Sequence, residues 1–146
     1  ESFGIDVDVV PGITSATSLP TAHGISLTKR GVAQSFWVLT GTGSDRQLTS
    51  DFELAAKSSA TLVILMGMTN LPKIVEILQR ESKGDVPVGI IQNGFMNNEK
   101  IGTGRVNNIL DVVSDLNLSS PAIIVVGEVV AHSTKLREIY KDYAKY

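Results

Sequence analysis

Residues 9–18 read VVPGITSATS, where an apolar run ends at Pro-Gly and opens into small and hydroxyl-bearing side chains. Pro11 removes a backbone donor and Gly12 permits positive φ, so a strand entering the segment stops there. Ile13-Thr14-Ser15-Ala16 then begins a helix whose first N–H groups have no partner inside it. Those donors, beside the Thr14 and Ser15 hydroxyls, suit a polar ligand brought close to the backbone. A tight strand-to-helix turn packed against its own domain accounts for the segment equally well.

A second pattern recurs farther along. Four apolar runs finish at or near glycine: Thr40-Gly41, Met66-Gly67, Gln92-Asn93-Gly94 and Gly127-Glu128. In open α/β sheets ligands sit beyond the carboxyl ends of strands. Glycine there lets the chain turn sharply and lets a flat ligand reach main-chain groups. Turn geometry alone explains any one of them; together the four favour a pocket at a common edge.

Other constellations are missing. His23 and His132 are far apart in sequence and neither has a second ligand at metal spacing, so no metal site is expected. His23 falls in the last turn of its helix, where a capping role is expected. No G-x-S-x-G elbow, P-loop or G-x-G-x-x-G follows a strand, and Gly41-Thr42-Gly43 is a lone G-x-G in a polar loop. Glu76, Asp111, Asp115, Glu138 and Asp142 fall on polar helix faces and read as solvated. Nothing in the pattern performs nucleophilic or metal chemistry by itself.

The elements that must carry these residues follow from periodicity. Residues 5–9 (IDVDV) alternate at period two and predict a strand. Residues 14–23 predict a short helix closed by Gly24, with Pro20 inside it. Residues 35–40 (SFWVLT), 61–66 (TLVILM), 87–92 (PVGIIQ) and 122–127 (AIIVVG) read as strands buried on both faces, and 99–106 (EKIGTGRV) as a further strand. Leu71, Ile74, Val75 and Leu78 recur at helical spacing. So do Ile109, Val112, Val113 and Leu116, and Leu136, Ile139, Tyr140 and Tyr143. The result is an α/β fold with helices covering a central sheet.

Composition narrows the function. At 146 residues and 42% hydrophobic, the chain can bury a sizeable core in one domain. Thirteen basic against fifteen acidic residues leave no positive balance to recruit nucleic acid or an anionic membrane. With no cysteine there is no disulfide framework and no thiolate metal site, which suits the cytoplasm. No apolar stretch is long enough to span a bilayer. The chain starts at Glu1 without an initiator Met, as expected of a piece of a longer protein.

Residues 9–16 (VVPGITSA), with 24–30 (GISLTKR) and 33–35 (AQS) after them, resemble the tetrapyrrole methylase family in its uroporphyrinogen-III C-methyltransferase branch. Residues 61–67 (TLVILMG), 87–94 (PVGIIQNG) and 121–130 (PAIIVVGEVV) occur in the family's order and spacing, and the likeness runs to about residue 137. The resemblance implies the C-terminal domain of the tetrapyrrole methylase fold: α/β, a mixed central sheet flanked by helices. Residues 1–10 would then be the end of a preceding N-terminal domain or a crossover strand, and 11–146 the C-terminal domain.

The resemblance also implies methyl transfer from S-adenosyl-L-methionine to a carbon of uroporphyrinogen III, towards precorrin-2 on the sirohaem and cobalamin pathway, leaving S-adenosyl-L-homocysteine. By motif position, Thr14 and Ser15 are expected at the cofactor's methionine end. Met66 and Gly94 are expected at its adenosine, and Pro121 and Ala122 along the same crevice. Thr28 and Arg30 are expected at the substrate, Arg30 by forking onto a carboxylate. Lys29 stands where the family frequently has His, and Ser15 where members often have Ala.

The family's glycine-rich cofactor loop and its proposed acid–base residues belong to the N-terminal domain, so no catalytic residue is assigned in this chain. The implied partners are the tetrapyrrole, the N-terminal domain and a second copy in a homodimer. Alone, the chain is expected to bind the cofactor weakly and turn nothing over. Two other readings remain: a C-methyltransferase acting on a later precorrin, and a non-catalytic cofactor-binding or dimerisation module.

Overall fold

The apolar, β-branched runs become strands: β1 (Phe36–Thr40), β2 (Thr61–Leu65), β3 (Pro87–Gln92), β4 (Lys100–Arg105) and β5 (Ala122–Val126). In this computed structural model, which describes residues 3–136, they form one mixed sheet in the order β1-β2-β5-β3-β4. β1 runs parallel to β2. β5, last in sequence, inserts between β2 and β3 and runs antiparallel to both, and β4 pairs antiparallel with β3.

The register explains why the central runs are apolar throughout. Ile64, Ile124 and Ile90 form one row across β2, β5 and β3, and all three are fully buried on one face. Val63 and Val125 form the neighbouring row and point into a second core on the opposite face. The first face is covered by α2 (Asp51–Lys57), α3 (Leu71–Arg80) and α4 (Ile109–Asp115). The second is covered by α1 (Ser15–Ala22), Ile25, Leu27 and the Val129-Val130 turn. A strand buried on both faces has no polar side to show in its sequence.

The helical stripes hold. Leu71, Ile74, Val75 and Leu78 are buried on α3, and Ile109 and Val112 on α4. α2 is an addition to the predicted elements. Its Phe52, Ala55 and Ala56 fall at i, i+3 and i+4 and are all buried, but seven residues give only that one repeat. α1 begins at Thr14, whose hydroxyl accepts the Ala16 N–H at 3.3 Å, and ends at His23 before Gly24 at φ +71°. Pro20 sits within it, buried, and the helix continues to Ala22.

Two expectations need correction, and a third falls mostly outside the described residues. Residues 5–9 form no strand; Ile5, Val7 and Val9 are exposed. Alternation supplies propensity, but a strand also needs a ladder partner, and no described segment pairs with this one. β1 is an edge strand, not buried on both faces: Phe36 and Val38 are exposed, while Trp37 and Leu39 pack on the first core. Of the C-terminal stripe only Leu136 is described, and it is buried; Glu138, Ile139, Tyr140, Asp142 and Tyr143 lie outside the described residues.

Ile124 lies at the centre of the first core, on the strand that joins β2 to β3. Ile124→Ala is expected to cost about 2–5 kcal/mol, read as a lower midpoint in urea unfolding. A loss below about 1 kcal/mol would mean that β5 is not the keystone of the sheet.

Candidate functional site

Strand direction decides what meets at the edge. β1, β2 and β3 run the same way, so Gly41, Met66-Gly67 and Asn93-Gly94 emerge together. β5 runs against them and brings its amino end there instead: Leu65 pairs with Ile123, and Gln92 with Ala122. Gly127-Glu128 therefore lies at the opposite edge, and the expectation of four glycine-ended strands at a common edge is corrected to three, of which β2 and β3 border the cavity described next. The start of β5 fills the fourth place.

A cavity of about 530 Å³ opens at this edge. Ser15 and Leu19 of α1 form one side. Leu65 and Met66 at the end of β2 face Ile91, Asn93, Gly94 and Met96 around the end of β3. Pro121, Ala122 and Ile123 form the floor between them, and the Ser120–Pro121 peptide is cis. The volume is within the roughly 300–1,000 Å³ of small-molecule sites. No charged side chain lines the cavity, and its polar groups are Ser15, Asn93 and main chain.

Close packing and unusual backbone shape this site. A Cβ on Gly94 would lie 2.1 Å from Leu19 Cδ2, so only glycine lets the β3 end approach α1 this closely. Met66 and Asn93, at the ends of two parallel strands, both take left-handed backbone, with φ +54° and +51°. Phe95 follows at φ +64°. Outside glycine such conformations are uncommon and tend to gather at functional sites. Two large apolar side chains of the lining, Met66 and Met96, are 65% and 64% exposed, and Phe95, next to Met96 in sequence, is 68% exposed.

The turn after β3 is tied to α1. Glu99 Oε2 accepts the Phe95 N–H at 2.8 Å, and its Oε1 stands 3.3 Å from His23 Nε2. His23 Nε2 is buried and makes no hydrogen bond there. The His23 carbonyl accepts the Ser133 hydroxyl at 2.7 Å. His23 is thus a cap residue, as its position predicts, with an added contact to the turn after β3.

Of the residues expected at the cofactor, Ser15, Met66, Gly94, Pro121 and Ala122 line this one cavity. Thr14 does not; its hydroxyl caps α1 next to Ser15. Thr28 lines a separate groove of about 420 Å³ with Thr17, Thr21, Ile25 and Phe36, and Arg30 is exposed outside both. Leu19, Asn93 and Met96, with the strand residues Leu65, Ile91 and Ile123, complete the lining and are not among the residues expected from sequence. Asn93 and Met96 were within reach, since they flank Gly94, but nothing local marks Leu19. No histidine or carboxylate lines the cavity, and among the described residues no cluster of His, Cys, Asp or Glu could hold a metal. The arrangement can bind and orient a flat, largely apolar group; it has no side chain placed to transfer a proton.

Residues 1–110 match the family model of Tetrapyrrole (Corrin/Porphyrin) Methylases. The chain is 40% identical over 132 residues to uroporphyrinogen-III C-methyltransferase of Methanocaldococcus jannaschii, covering 89% of this chain and 54% of the relative. It is 34% identical over 128 residues to siroheme synthase of Pseudoalteromonas translucida, covering 87% and 27%. Among solved structures, uroporphyrin-III C-methyl transferase from Thermus thermophilus, complexed with S-adenyl homocysteine, matches with a TM-score of 0.73. Identity is 27%, over 90% of this chain and 57% of that one. Cobalt precorrin-4 methyltransferase matches with a TM-score of 0.79 at 21% identity over 88% and 54%, a likeness of fold. The chain spans about half the length of the methyltransferase relatives and just over a quarter of the siroheme synthase.

The Gly94–Leu19 contact can be measured. Gly94→Ala is expected to destabilise the chain by about 1–3 kcal/mol, and the double variant with Leu19→Ala to recover part of that loss. A double-mutant cycle in urea would show the coupling. Strict additivity would contradict the contact.

Proposed function

The chain belongs to the tetrapyrrole methylase family, and on that premise we propose that it is the C-terminal part of an S-adenosylmethionine-dependent uroporphyrinogen-III C-methyltransferase. The product would lie on the way to precorrin-2, and the chain would supply one wall of the cofactor cleft. One observation carries the reading: Ser15, Met66, Gly94, Pro121 and Ala122 line a single cavity. They come from α1 and from the ends of three strands.

The lining fits the adenosine portion. Adenine is flat and apolar on its faces, with donors and acceptors on its rim. Leu65, Met66 and Ile91 supply apolar contact, Met66 with an adaptable thioether, while Asn93 and the main chain beside Gly94 supply rim partners. Ser15, with the α1 amino end, would take the methionine portion, and Thr14 would act through that helix end rather than from the wall.

When bound, the cofactor supplies an electrophilic methyl group on a sulfonium. The chain's own part is to hold that group in place, keep water off its apolar faces and leave the transferring side open. Such positioning can account for much of a barrier when the reactants carry their own reactivity. Thr28 and Arg30 are proposed for the substrate, where the Arg30 guanidinium suits one of the eight carboxylates of uroporphyrinogen. The remaining wall and the acid–base residues are assigned to an N-terminal domain, with residues 1–10 leading from it. Cytoplasmic location and a homodimer belong to the same reading. Among the described residues no helix is long and apolar enough to cross a membrane.

Titration calorimetry with S-adenosylhomocysteine tests the site on this chain. Met66→Ala is expected to weaken binding about tenfold, the scale of one buried apolar side chain. Gly94→Ala is expected to weaken it as well, by displacing α1. Equal affinity in wild type and both variants would overturn the cofactor assignment.

A further inference from the structure

Met66 is a long side chain on left-handed backbone at the end of β2, with φ +54°. That conformation crowds the Cβ of any residue other than glycine, so its surroundings must hold it. The holding groups lie outside the cavity, in the loop after β1. Thr42 Oγ1 donates to the Met66 carbonyl at 2.7 Å, joining residues 24 apart in sequence. Thr40 Oγ1 donates to the Thr42 carbonyl at 3.0 Å and fixes Thr42 in turn.

Asn70 closes the arrangement from the other side of the turn. Its Nδ2 donates to the Gly41 carbonyl at 2.7 Å and reaches the Arg46 carbonyl at 3.3 Å and Thr42 Oγ1 at 3.4 Å. The two chains meet with no room to spare, since a Cβ on Gly41 would lie 2.4 Å from Gly67 Cα. Loop and turn therefore shift together or not at all. Thr42 does not line the cavity; Met66 does.

We propose that Thr42 is a positioning residue of the cofactor site. Its hydroxyl holds the Met66 carbonyl towards the β1 loop and so keeps the Met66 side chain in the cavity wall. The proposal rests on the reading of that cavity as the adenosine site. It also gives a task to Gly41-Thr42-Gly43: Gly41 lets the loop pass close to Gly67, the Gly43 N–H closes the loop on the Gln47 carbonyl at 2.7 Å, and the threonine between them makes the bond to Met66.

The test uses Thr42→Val, which keeps the shape and removes the hydroxyl, and Thr42→Ser, which keeps the hydroxyl. The chain has three methionines, Met66, Met68 and Met96, so methyl-labelled methionine gives a small set of NMR signals. In ligand-free protein Thr42→Val is expected to move the Met66 methyl signal, and Thr42→Ser to leave it near its wild-type position. S-adenosylhomocysteine should bind about three- to tenfold more weakly to Thr42→Val, the scale of one hydrogen bond, and with wild-type affinity to Thr42→Ser. An unmoved Met66 signal in Thr42→Val would overturn the proposal, as would undiminished affinity despite a moved signal. Failure of the wild-type chain to bind S-adenosylhomocysteine would instead overturn the adenosine reading, because the methyl signal judges the brace without any ligand.

Discussion

The direction of β5 is the constraint on which the site depends. Inserted between β2 and β3 and antiparallel to both, it completes the ladder of each and carries the middle of both cores through Ile124 and Val125. The same reversal brings Pro121 and Ala122 to the edge where β2 and β3 deliver Met66 and Gly94. A parallel β5 would have brought Gly127-Glu128 there and replaced a tight apolar floor with a glycine and a carboxylate. The sheet's stability and the chemistry of its edge are thus consequences of one pairing.

Around that floor the cavity walls are made by backbone in places where side chains would interfere. Gly94 admits Leu19 to the β3 end, and Gly41 and Gly67 let the β1 loop touch the β2 turn. Met66 and Asn93 then turn the chain outward through left-handed conformations that a ladder cannot hold. Each departure is met by a bond from a neighbouring element: Thr42 Oγ1 on the Met66 carbonyl and the Pro121 carbonyl on the Asn93 N–H, with Asn70 on Gly41 and Glu99 on Phe95 beside them. Strained backbone persists where surroundings over-determine it, and the loop after β1 does this for Met66.

How much of this the sequence discloses follows from the range of each interaction. Buried strands and striped helices record their burial locally, so β2, β3, β5, α3 and α4 are legible from apolar runs and spacing. Strand direction leaves no local trace, which is why Gly127 reads like Gly94 although it lies at the other edge. Residues 5–9 show the converse failure, since they alternate like a strand but have no described partner. Ser15, Met66 and Gly94 are marked by local pattern and by family resemblance together, Pro121 and Ala122 by resemblance alone, and the convergence of all five in one cavity is a property of the fold. Leu19 and Thr42 escape both routes: their importance lies in contacts with residues distant in sequence, and their types are unremarkable where they stand.

The character of the wall limits what it can do. It is apolar, carries no charge and offers hydrogen bonds through Asn93, Ser15 and main chain, which suits the faces and rim of a nucleobase. A sulfonium, a zwitterionic amino acid and a substrate with eight carboxylates bring charges that this lining does not answer. In the proposed reading those charges fall to other elements: the α1 amino end beside Ser15, Arg30 outside the cavity, and the N-terminal domain. An uncharged wall is also an advantage for methyl transfer, since a carboxylate pressed against the sulfonium would stabilise the charged ground state more than the transition state, where that charge is dispersing. Holding the cofactor by its neutral end leaves the reacting end to the groups that must distinguish the two.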